Sequence, residues 1–240
     1  MNMTRLSVNV NKVALIRNAR EGQIPNLVQV ARDCEDFGGQ GITVHPRPDE
    51  RHIRYSDIPL LREANRTEFN IEGNPTEKYL ALVLNHPPTQ ATLVPDAPNV
   101  LTSSEGWDTV AHQSFLTEVT QRLQAAGIRV SIFVDPRVDM VEGAKAVGAD
   151  RIELYTGDYA RAYAEDPERA VAPHRMAAQR AQELGLGVNA GHDLNRENLR
   201  YYVQQVPGVL EVSIGHALIS DALYFGLKNT VQLYLQQLTP

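Results

Sequence analysis

Short runs rich in valine, isoleucine and leucine alternate with longer stretches of helical character along the whole chain. Runs of this kind are typical of strands buried in a parallel sheet. Eight of them occur, at residues 6–10, 41–44, 68–71, 91–94, 129–134, 151–154, 187–189 and 210–214. Eight strand and helix units in 240 residues predict an α/β fold in which one domain, residues 1–240, closes into a (β/α)8 TIM barrel. A doubly wound open sheet is the alternative, and it requires a reversal of strand order that a sequence does not reveal.

Capping residues mark the ends of the predicted helices. Asn74 and Asp135 each precede a proline, which favours a helix that starts there, and Asn195 is suited to cap the stretch that follows it. Glycine in a left-handed conformation commonly ends a helix. We therefore expect helices to end at three glycines, Gly127, Gly148 and Gly185.

Composition narrows the class of protein. The net charge of −6 argues against a broad nucleic-acid surface, although it allows local basic pockets for small anions. The single cysteine, Cys34, excludes an intramolecular disulfide and a multi-cysteine metal site, and we expect it to be an apolar filler in a helix. No stretch approaches the length of a membrane span, and residues 1–7 carry no signal-peptide run. We expect a cytoplasmic protein without membrane or nucleic-acid partners.

Polar side chains collect where the predicted strands end. In a TIM barrel the active site lies at the carboxyl ends of the strands, so these side chains would meet at one mouth. One such residue alone is commonly a turn former or a helix cap, but a whole set at one rim indicates a site. The set comprises Asn9, Asn11, Lys12, His45, Arg47, Glu72, Asp135, Glu153, Asn189, His192, Asp193 and His216.

Four of these residues are suited to proton transfer. His45 and His192 titrate near neutrality, unless each is simply hydrogen-bonded to a neighbouring loop. Glu72 could serve as a base with a raised pKa, or form a salt bridge with an arginine. Glu153 alternates with apolar neighbours, so it is expected to point into the barrel, where it needs a structural or catalytic partner. Asp135 is favoured as a helix cap.

A metal site and a Schiff-base aldolase are the alternatives to acid–base catalysis. A metal site would use His45, His52, Glu72 and His192, but these residues lack tight ligand spacing and nearby arginines would repel a cation. A Schiff-base aldolase needs a lysine at the end of a strand, and among the four lysines only Lys12 has that position.

Two groups of residues are predicted to bind phosphate. Segment 213–218, with Gly215 and His216, runs from the last strand into a helix, where loops of this fold commonly hold a phosphate on backbone N–H groups. A basic group follows strands 1 and 2, expected on the opposite side of the barrel, and comprises Arg17, Arg20, Arg47, Arg51 and His52. Two anion sites in one mouth suggest two phosphorylated substrates.

A long loop follows the fourth predicted strand. Residues 95–108 contain proline and serine and are numerous enough to act as a lid. Its hydroxyl donors are Thr102, Ser103 and Ser104.

These segments together resemble the pyridoxine 5′-phosphate synthase family. The matching stretches cover the whole chain in the order and spacing of the family. They read VNVNK (8–12), RNAR (17–20), GITVHPR (41–47), RHI (51–53), NIE (70–72), LVP (93–95), ELYTG (153–157), VNAGH (188–192) and IGHA (214–217).

The resemblance implies a barrel with extra short helices, usually assembled as an octamer, and no metal or organic cofactor. It implies condensation of 1-deoxy-D-xylulose 5-phosphate with 3-amino-2-oxopropyl phosphate to pyridoxine 5′-phosphate, phosphate and water. By the family pattern, His45 and Glu72 would accept protons, His192 would donate one, and Glu153 would support the transition state. Two further sets would bind the substrates, the aminoketone phosphate by Asn9, Arg20, Gly215 and His216, and the xylulose phosphate by Arg47, His52 and Thr102.

Three positions depart from that pattern. Asn11 and Lys12 stand where many members have Asp and His, and Asp193 stands where many have Gly. Asn11 keeps an acceptor and Lys12 a donor, and Asp193 is expected to bind substrate through its backbone N–H. A non-catalytic phosphosugar-binding barrel is the last alternative, and His45, Glu72 and His192 argue against it because ligand binding alone does not need them.

Overall fold

Eight parallel strands form a closed barrel in sequential order in the computed structural model, which describes residues 3–96 and 105–239. The first strand pairs with both the second and the eighth, which confirms the TIM barrel and excludes the open sheet. The strands are β1 Arg5–Asn9, β2 Gly41–Val44, β3 Glu68–Gly73, β4 Gln90–Leu93, β5 Arg129–Val134, β6 Arg151–Leu154, β7 Gly187–Ala190 and β8 Val209–Ile214.

Helices surround the barrel, and in the described ranges there are more of them than one per strand. They are α1 Asn11–Asn18, α2 Leu27–Asp36, α3 Asp57–Ala64, α4 Glu77–Asn85, α5 Gln113–Ala125, α6 Val138–Ala146, α7 Gly157–Ala162, α8 Pro167–Glu183, α9 Leu199–Gln205, α10 His216–Phe225 and α11 Leu227–Leu238. Helices α5, α6 and α8 end just before the three predicted glycines, Gly127, Gly148 and Gly185, whose φ angles are positive at 75°, 84° and 71°.

The barrel interior is polar. Apolar strand residues such as Val8, Ile42 and Ile71 are buried in the main hydrophobic core. The alternate positions are polar and bond to one another: Thr92 Oγ1 donates to Asn70 Oδ1 at 3.0 Å. Asn189 on β7 donates to Gln90 on β4 at 3.4 Å, a contact between non-neighbouring strands that must cross the interior. Period-two alternation therefore separates an apolar outer face from a hydrogen-bonded inner one.

Two predicted caps are wrong. The α4 cap is Thr76, whose hydroxyl accepts from Tyr79 N at 3.3 Å, while Asn74 Nδ2 donates to Asp96 O at 3.0 Å. Asp135 Oδ1 instead accepts from the N–H of Gly106, which returns from the loop after β4, and α6 begins at Val138. In both cases a proline favours a turn before the helix; Thr76 then caps α4, whereas no side chain caps the first turn of α6.

Two other predictions, the cap at Asn195 and the burial of Cys34, agree better with the structure. Asn195 Oδ1 accepts from the N–H groups of Glu197 and Asn198, in the turn that leads into α9. Cys34 is buried in α2, as predicted, and burial raises the pKa of its thiol to about 12.

Arg17 does not lie on a solvated loop. It is part of α1, its side chain is 2% exposed, and it forms a two-pronged pair with Asp57 of α3 at 2.7 and 2.9 Å. Its guanidinium also donates to His52 O at 3.2 Å. The expectation of a phosphate-binding Arg17 is therefore wrong, because its charge is already neutralised inside the protein, where it joins α1 to α3.

Candidate active site

A cavity of about 570 Å³ opens where the carboxyl ends of the strands meet. Asp135, Asn189 and Arg51 do not line it. Of the fourteen residues that the family pattern assigns to the site or at which this chain departs from it, all but two line the cavity: Asn9, Asn11, Lys12, His45, Arg47, His52, Glu72, Glu153, His192, Asp193, Gly215 and His216. Of the other two, Arg20 is exposed and does not line the cavity, and Thr102 lies outside the described residues, as do Ser103 and Ser104. The polar strand ends thus share one chamber.

His45 and Glu72 face each other across the mouth from the ends of β2 and β3. His45 Nδ1 lies 3.8 Å from Glu72 Oε2, and both side chains are almost entirely buried. Burial, with the charges of Arg47 and His52, holds the pKa of His45 well below its usual range. Burial, with the charges of Glu153 and Asp96, raises the pKa of Glu72 well above its usual range. Both shifts favour uncharged groups that can exchange a proton without creating an isolated ion.

Glu153 and His192 form a second proton-transfer group. Burial, with the charge of Glu211 below it, raises the pKa of Glu153 to about 7. Burial alone would lower the pKa of His192, but the hydrogen bond and charge of Asp193 and the charge of Glu153 outweigh it, so the pKa is raised. The pKa of Glu153 therefore lies in the range where acid and base catalysis is most effective, and the raised pKa of His192 favours its protonated form.

Cationic and neutral donors line the cavity beside β2. Arg47 pairs with Asp96 at 2.6 Å, and both side chains are buried. Burial, then the charges of Arg47 and Lys12, lowers the pKa of His52 to about 4. His52 Nδ1 accepts from Ile53 N at 2.9 Å, so the neutral ring carries its proton on Nε2 and can donate it. This side of the cavity combines a paired guanidinium with an uncharged donor.

The N-terminus of α10 closes the cavity beside β8. Gly215 precedes the helix, and the lining includes Gly215, His216 and Ala217. A Cβ on Gly215 would lie 3.0 Å from Asn9 Cβ, so the close packing of these segments favours glycine. Backbone N–H groups of the first turn have no partner within the helix and favour an anion.

The two predicted anion groups are not on opposite sides of the barrel. Only β1 separates β8 from β2, since β1 pairs with both. The α10 terminus and the Arg47 and His52 group are therefore near neighbours in the ring of strands. The prediction was wrong because closure of the barrel brings the first and last units of the chain together.

Sequence reasoning missed several residues of the site. Asn195 lines the cavity, as does Ser213, which the sequence placed in the phosphate segment without a role for its side chain. Ser213 Oγ is buried with no hydrogen-bond partner among the described residues. Alternation on β8, where Ser213 follows Glu211 by two positions, was the available signal. Phe133 and Val94 also line the cavity and form a small apolar cluster with Tyr155, which no polar motif would reveal.

Neither a metal cluster nor a membrane span is found in the part of the chain that the structure describes. His45, His52, Glu72 and His192 share the cavity, yet no three or more of the described His, Cys, Asp and Glu residues are arranged to hold a metal ion. Within residues 3–96 and 105–239, no helix has both the length and the apolar character needed to cross a membrane.

Comparisons with known proteins relate the whole chain to one enzyme family. The profile of the family described as pyridoxal phosphate biosynthesis protein PdxJ matches residues 6–240. Pyridoxine 5′-phosphate synthase of Cytophaga hutchinsonii is 60% identical over 236 residues, which are 98% of this chain and 99% of that protein. The Flavobacterium johnsoniae protein of the same name is 57% identical, with coverage of 98% and 100%.

Solved structures share the fold at low identity. A 3-keto-L-gulonate-6-phosphate decarboxylase from Vibrio cholerae superimposes with a TM-score of 0.66 and 10% identity, over 100% of both chains. A thiamine phosphate pyrophosphorylase from Pyrococcus furiosus gives a TM-score of 0.62 and 12% identity, over 98% of this chain and 95% of that one. At this identity the likeness concerns architecture alone.

Proposed function

Because the chain belongs to the PdxJ family of pyridoxine 5′-phosphate synthases, we propose that it condenses 1-deoxy-D-xylulose 5-phosphate with 3-amino-2-oxopropyl phosphate. The products are pyridoxine 5′-phosphate, inorganic phosphate and water. The observation that carries the proposal is the meeting of His45, Glu72, Glu153 and His192 in one cavity, which also contains the groups suited to bind phosphate.

The reaction needs several proton transfers, and the cavity offers groups for each direction. The amine must attack a ketone, and water and phosphate must leave before the ring closes. His45 has a lowered pKa and is a proton acceptor at neutral pH. His192 has a raised pKa and is the proton donor. Glu72 lies 3.8 Å from His45 and its raised pKa favours the protonated acid, so it acts as a second acceptor once its own proton has passed to His45. Glu153 stabilises positive charge that develops nearby.

The two phosphates are assigned to the two sides of β1. The aminoketone phosphate lies on the α10 N-terminus, with Gly215, His216 and Asn9 around it. The xylulose phosphate lies by Arg47 and His52, together with Thr102 from the loop after β4. Asn11 Oδ1 accepts from His45 N at 2.9 Å, so Asn11 orients the His45 segment in addition to lining the cavity. Lys12 adds a positive charge between the two sites.

Arg20 requires a separate explanation. It is exposed, beyond the end of α1, so a role at the aminoketone phosphate requires movement of that segment or insertion into the cavity of another copy. The second route agrees with the proposed homo-octamer, in which exposed apolar side chains of α1 such as Leu15 and Ile16 would be covered. A cytoplasmic location, where both phosphorylated substrates would be made, completes the proposal.

Incubation of the protein with both substrates tests the function directly. We expect pyridoxine 5′-phosphate and inorganic phosphate to form together, and absence of either would refute the proposal. Glu72→Gln should lower kcat by about 10²–10⁴-fold, the usual contribution of acid and base catalysis. Binding of 1-deoxy-D-xylulose 5-phosphate should change by less than an order of magnitude. The matched control is Glu77→Gln, whose side chain is 80% exposed on α4 and which should keep full activity.

A further inference from the structure

Asp193 makes a direct contact with the proposed proton donor. Its Oδ2 lies 2.8 Å from His192 Nδ1, and both side chains are about one-third exposed at the edge of the cavity. A carboxylate accepts hydrogen bonds, so the proton of this contact is on Nδ1. Exchange of a proton between this ring and a substrate would therefore use Nε2.

The backbone on both sides of Asp193 is fixed by hydrogen bonds. Asp193 N donates to Thr156 Oγ1 at 3.2 Å, and the same hydroxyl donates to Gly191 O at 3.0 Å. Asp193 O accepts from Asn198 Nδ2 at 3.5 Å. Thr156 and Asn198 thus hold the segment from both ends, so the fold keeps the Asp193 carboxylate next to the His192 imidazole.

These hydrogen bonds argue against the expectation that Asp193 binds substrate through its backbone N–H. Its N–H, the group expected to hold phosphate, is already engaged with Thr156. Its carboxylate would repel a phosphate at the nearby α10 terminus. Position 193 is therefore poorly suited to bind an anion and well suited to act on His192.

The other charged groups around His192 come from three strand ends. Glu153 extends from β6, Asp96 follows β4 and His45 follows β2. The two carboxylates and Asp193 favour a protonated ring, whereas burial and His45 oppose it. Asp193 gives His192 a hydrogen bond as well as a charge.

We propose that Asp193 is a positioning residue, which fixes the Nδ1–H form of His192 and directs a protonated Nε2 into the cavity. The inference rests on the proposed function, since it gives His192 the role of proton donor. Second carboxylates that orient a working histidine commonly affect its activity by about 10–100-fold.

The test is the pH dependence of kcat for Asp193→Asn. Asparagine keeps an oxygen that can accept from Nδ1–H but removes the charge. We expect the alkaline limb of the profile to move toward lower pH, so that the variant is about 10–100-fold slower than the parent at pH 8.5 and nearly equal to it at pH 6. KM for both substrates should change by less than about threefold. The control Asp139→Asn removes an exposed carboxylate that does not line the cavity and should leave the profile unchanged.

A second readout does not depend on turnover. In nitrogen-15 spectra of histidine-labelled protein, His192 should titrate at lower pH in Asp193→Asn than in the parent, and its neutral form in the parent should carry the proton on Nδ1. Asp193→Ser provides a second variant with a small polar side chain if the asparagine protein folds poorly. An equal loss of kcat at all pH values with an unmoved titration, or a selective rise in KM for the aminoketone phosphate, would overturn the inference. If the parent makes no pyridoxine 5′-phosphate, the proposed function fails, while the titration still decides the role of Asp193.

Discussion

Removing the charge of Asp57 should destabilise the whole barrel. Arg17 is 2% exposed and its two terminal nitrogens donate to both carboxylate oxygens of Asp57. Asp57→Asn keeps one acceptor but leaves a buried guanidinium without a counter-charge, a change that costs about 3–5 kcal/mol in comparable pairs. For a chain of this size, roughly 2–4 °C of Tm accompany each kcal/mol, so we expect Tm to fall by roughly 6–20 °C.

The Asp57→Asn substitution should also weaken substrate binding in the active site. Arg17 and Asn18 both donate to His52 O, at 3.2 and 2.7 Å, and so hold the segment that presents His52 to the cavity. Loosening of Arg17 in the Asp57→Asn variant should therefore raise KM for 1-deoxy-D-xylulose 5-phosphate more than it lowers kcat. A pure stability defect would leave KM of the folded fraction unchanged.

Urea denaturation measures the loss, with a surface ion pair as the control. Glu77 pairs with Arg122, and their side chains are 80% and 41% exposed. Glu77→Gln should cost less than about 1 kcal/mol, because solvent screens such a pair. The double variant Arg17→Met with Asp57→Leu buries no charge and should recover much of the stability that Asp57→Asn loses. A loss for Asp57→Asn no larger than that of Glu77→Gln would refute the reasoning.

Three further outcomes are expected. Burial lowers the pKa of His174 to about 4, so the unfolded chain takes up a proton below about pH 6.5 that the folded one excludes. The free energy of unfolding should therefore fall as pH drops from 6.5 toward 4, and His174→Gln should flatten that decline in acid denaturation curves. His216→Ala should weaken binding of the aminoketone phosphate more than that of the xylulose phosphate in calorimetry, and the reverse order would exchange the two sites. Borohydride with either substrate should leave Lys12 unmodified by mass spectrometry, whereas a stable adduct there would support an aldolase.

The strands were predictable because each is short, apolar and closely followed by a helix. All eight predicted runs agree with the observed strands to within two residues at either end, and β2, β5 and β6 agree at both ends. The site followed from the same pattern, since a polar residue at the end of a strand must lie at the barrel mouth whatever its identity. His45, Glu72 and His192 were placed in this way.

Other features depend on contacts that are remote in sequence. In the sequence, Arg17 has the features of a surface arginine. Its partner Asp57 is 40 positions away along the chain, and only the packing of α3 against α1 brings the two together. The caps at Asn74 and Asp135 were misjudged because their side chains bond to segments on other units of the barrel. The alternation of Glu211 and Ser213 with valine and isoleucine in β8 indicates a polar barrel interior. It was overlooked because buried parallel strands were expected to be uniformly apolar.

The buried carboxylic acids of the barrel lead to a final prediction, which concerns protons taken up with substrate. Glu72, Glu153 and Glu211 lie in one interior, and burial raises the pKa of each. Repulsion by neighbouring carboxylates raises the pKa of Glu72 and Glu153 further. A bound phosphate adds negative charge near the mouth, so it should raise the pKa of Glu153 and His192 further. Because the pKa of Glu153 is already about 7, binding near neutral pH should draw in protons from solvent, and these are available for the dehydration steps. Calorimetric titration with 1-deoxy-D-xylulose 5-phosphate, in buffers of different ionisation enthalpy, measures that uptake. We expect net uptake near pH 7 that is reduced in Glu153→Gln, and net proton release would contradict the argument.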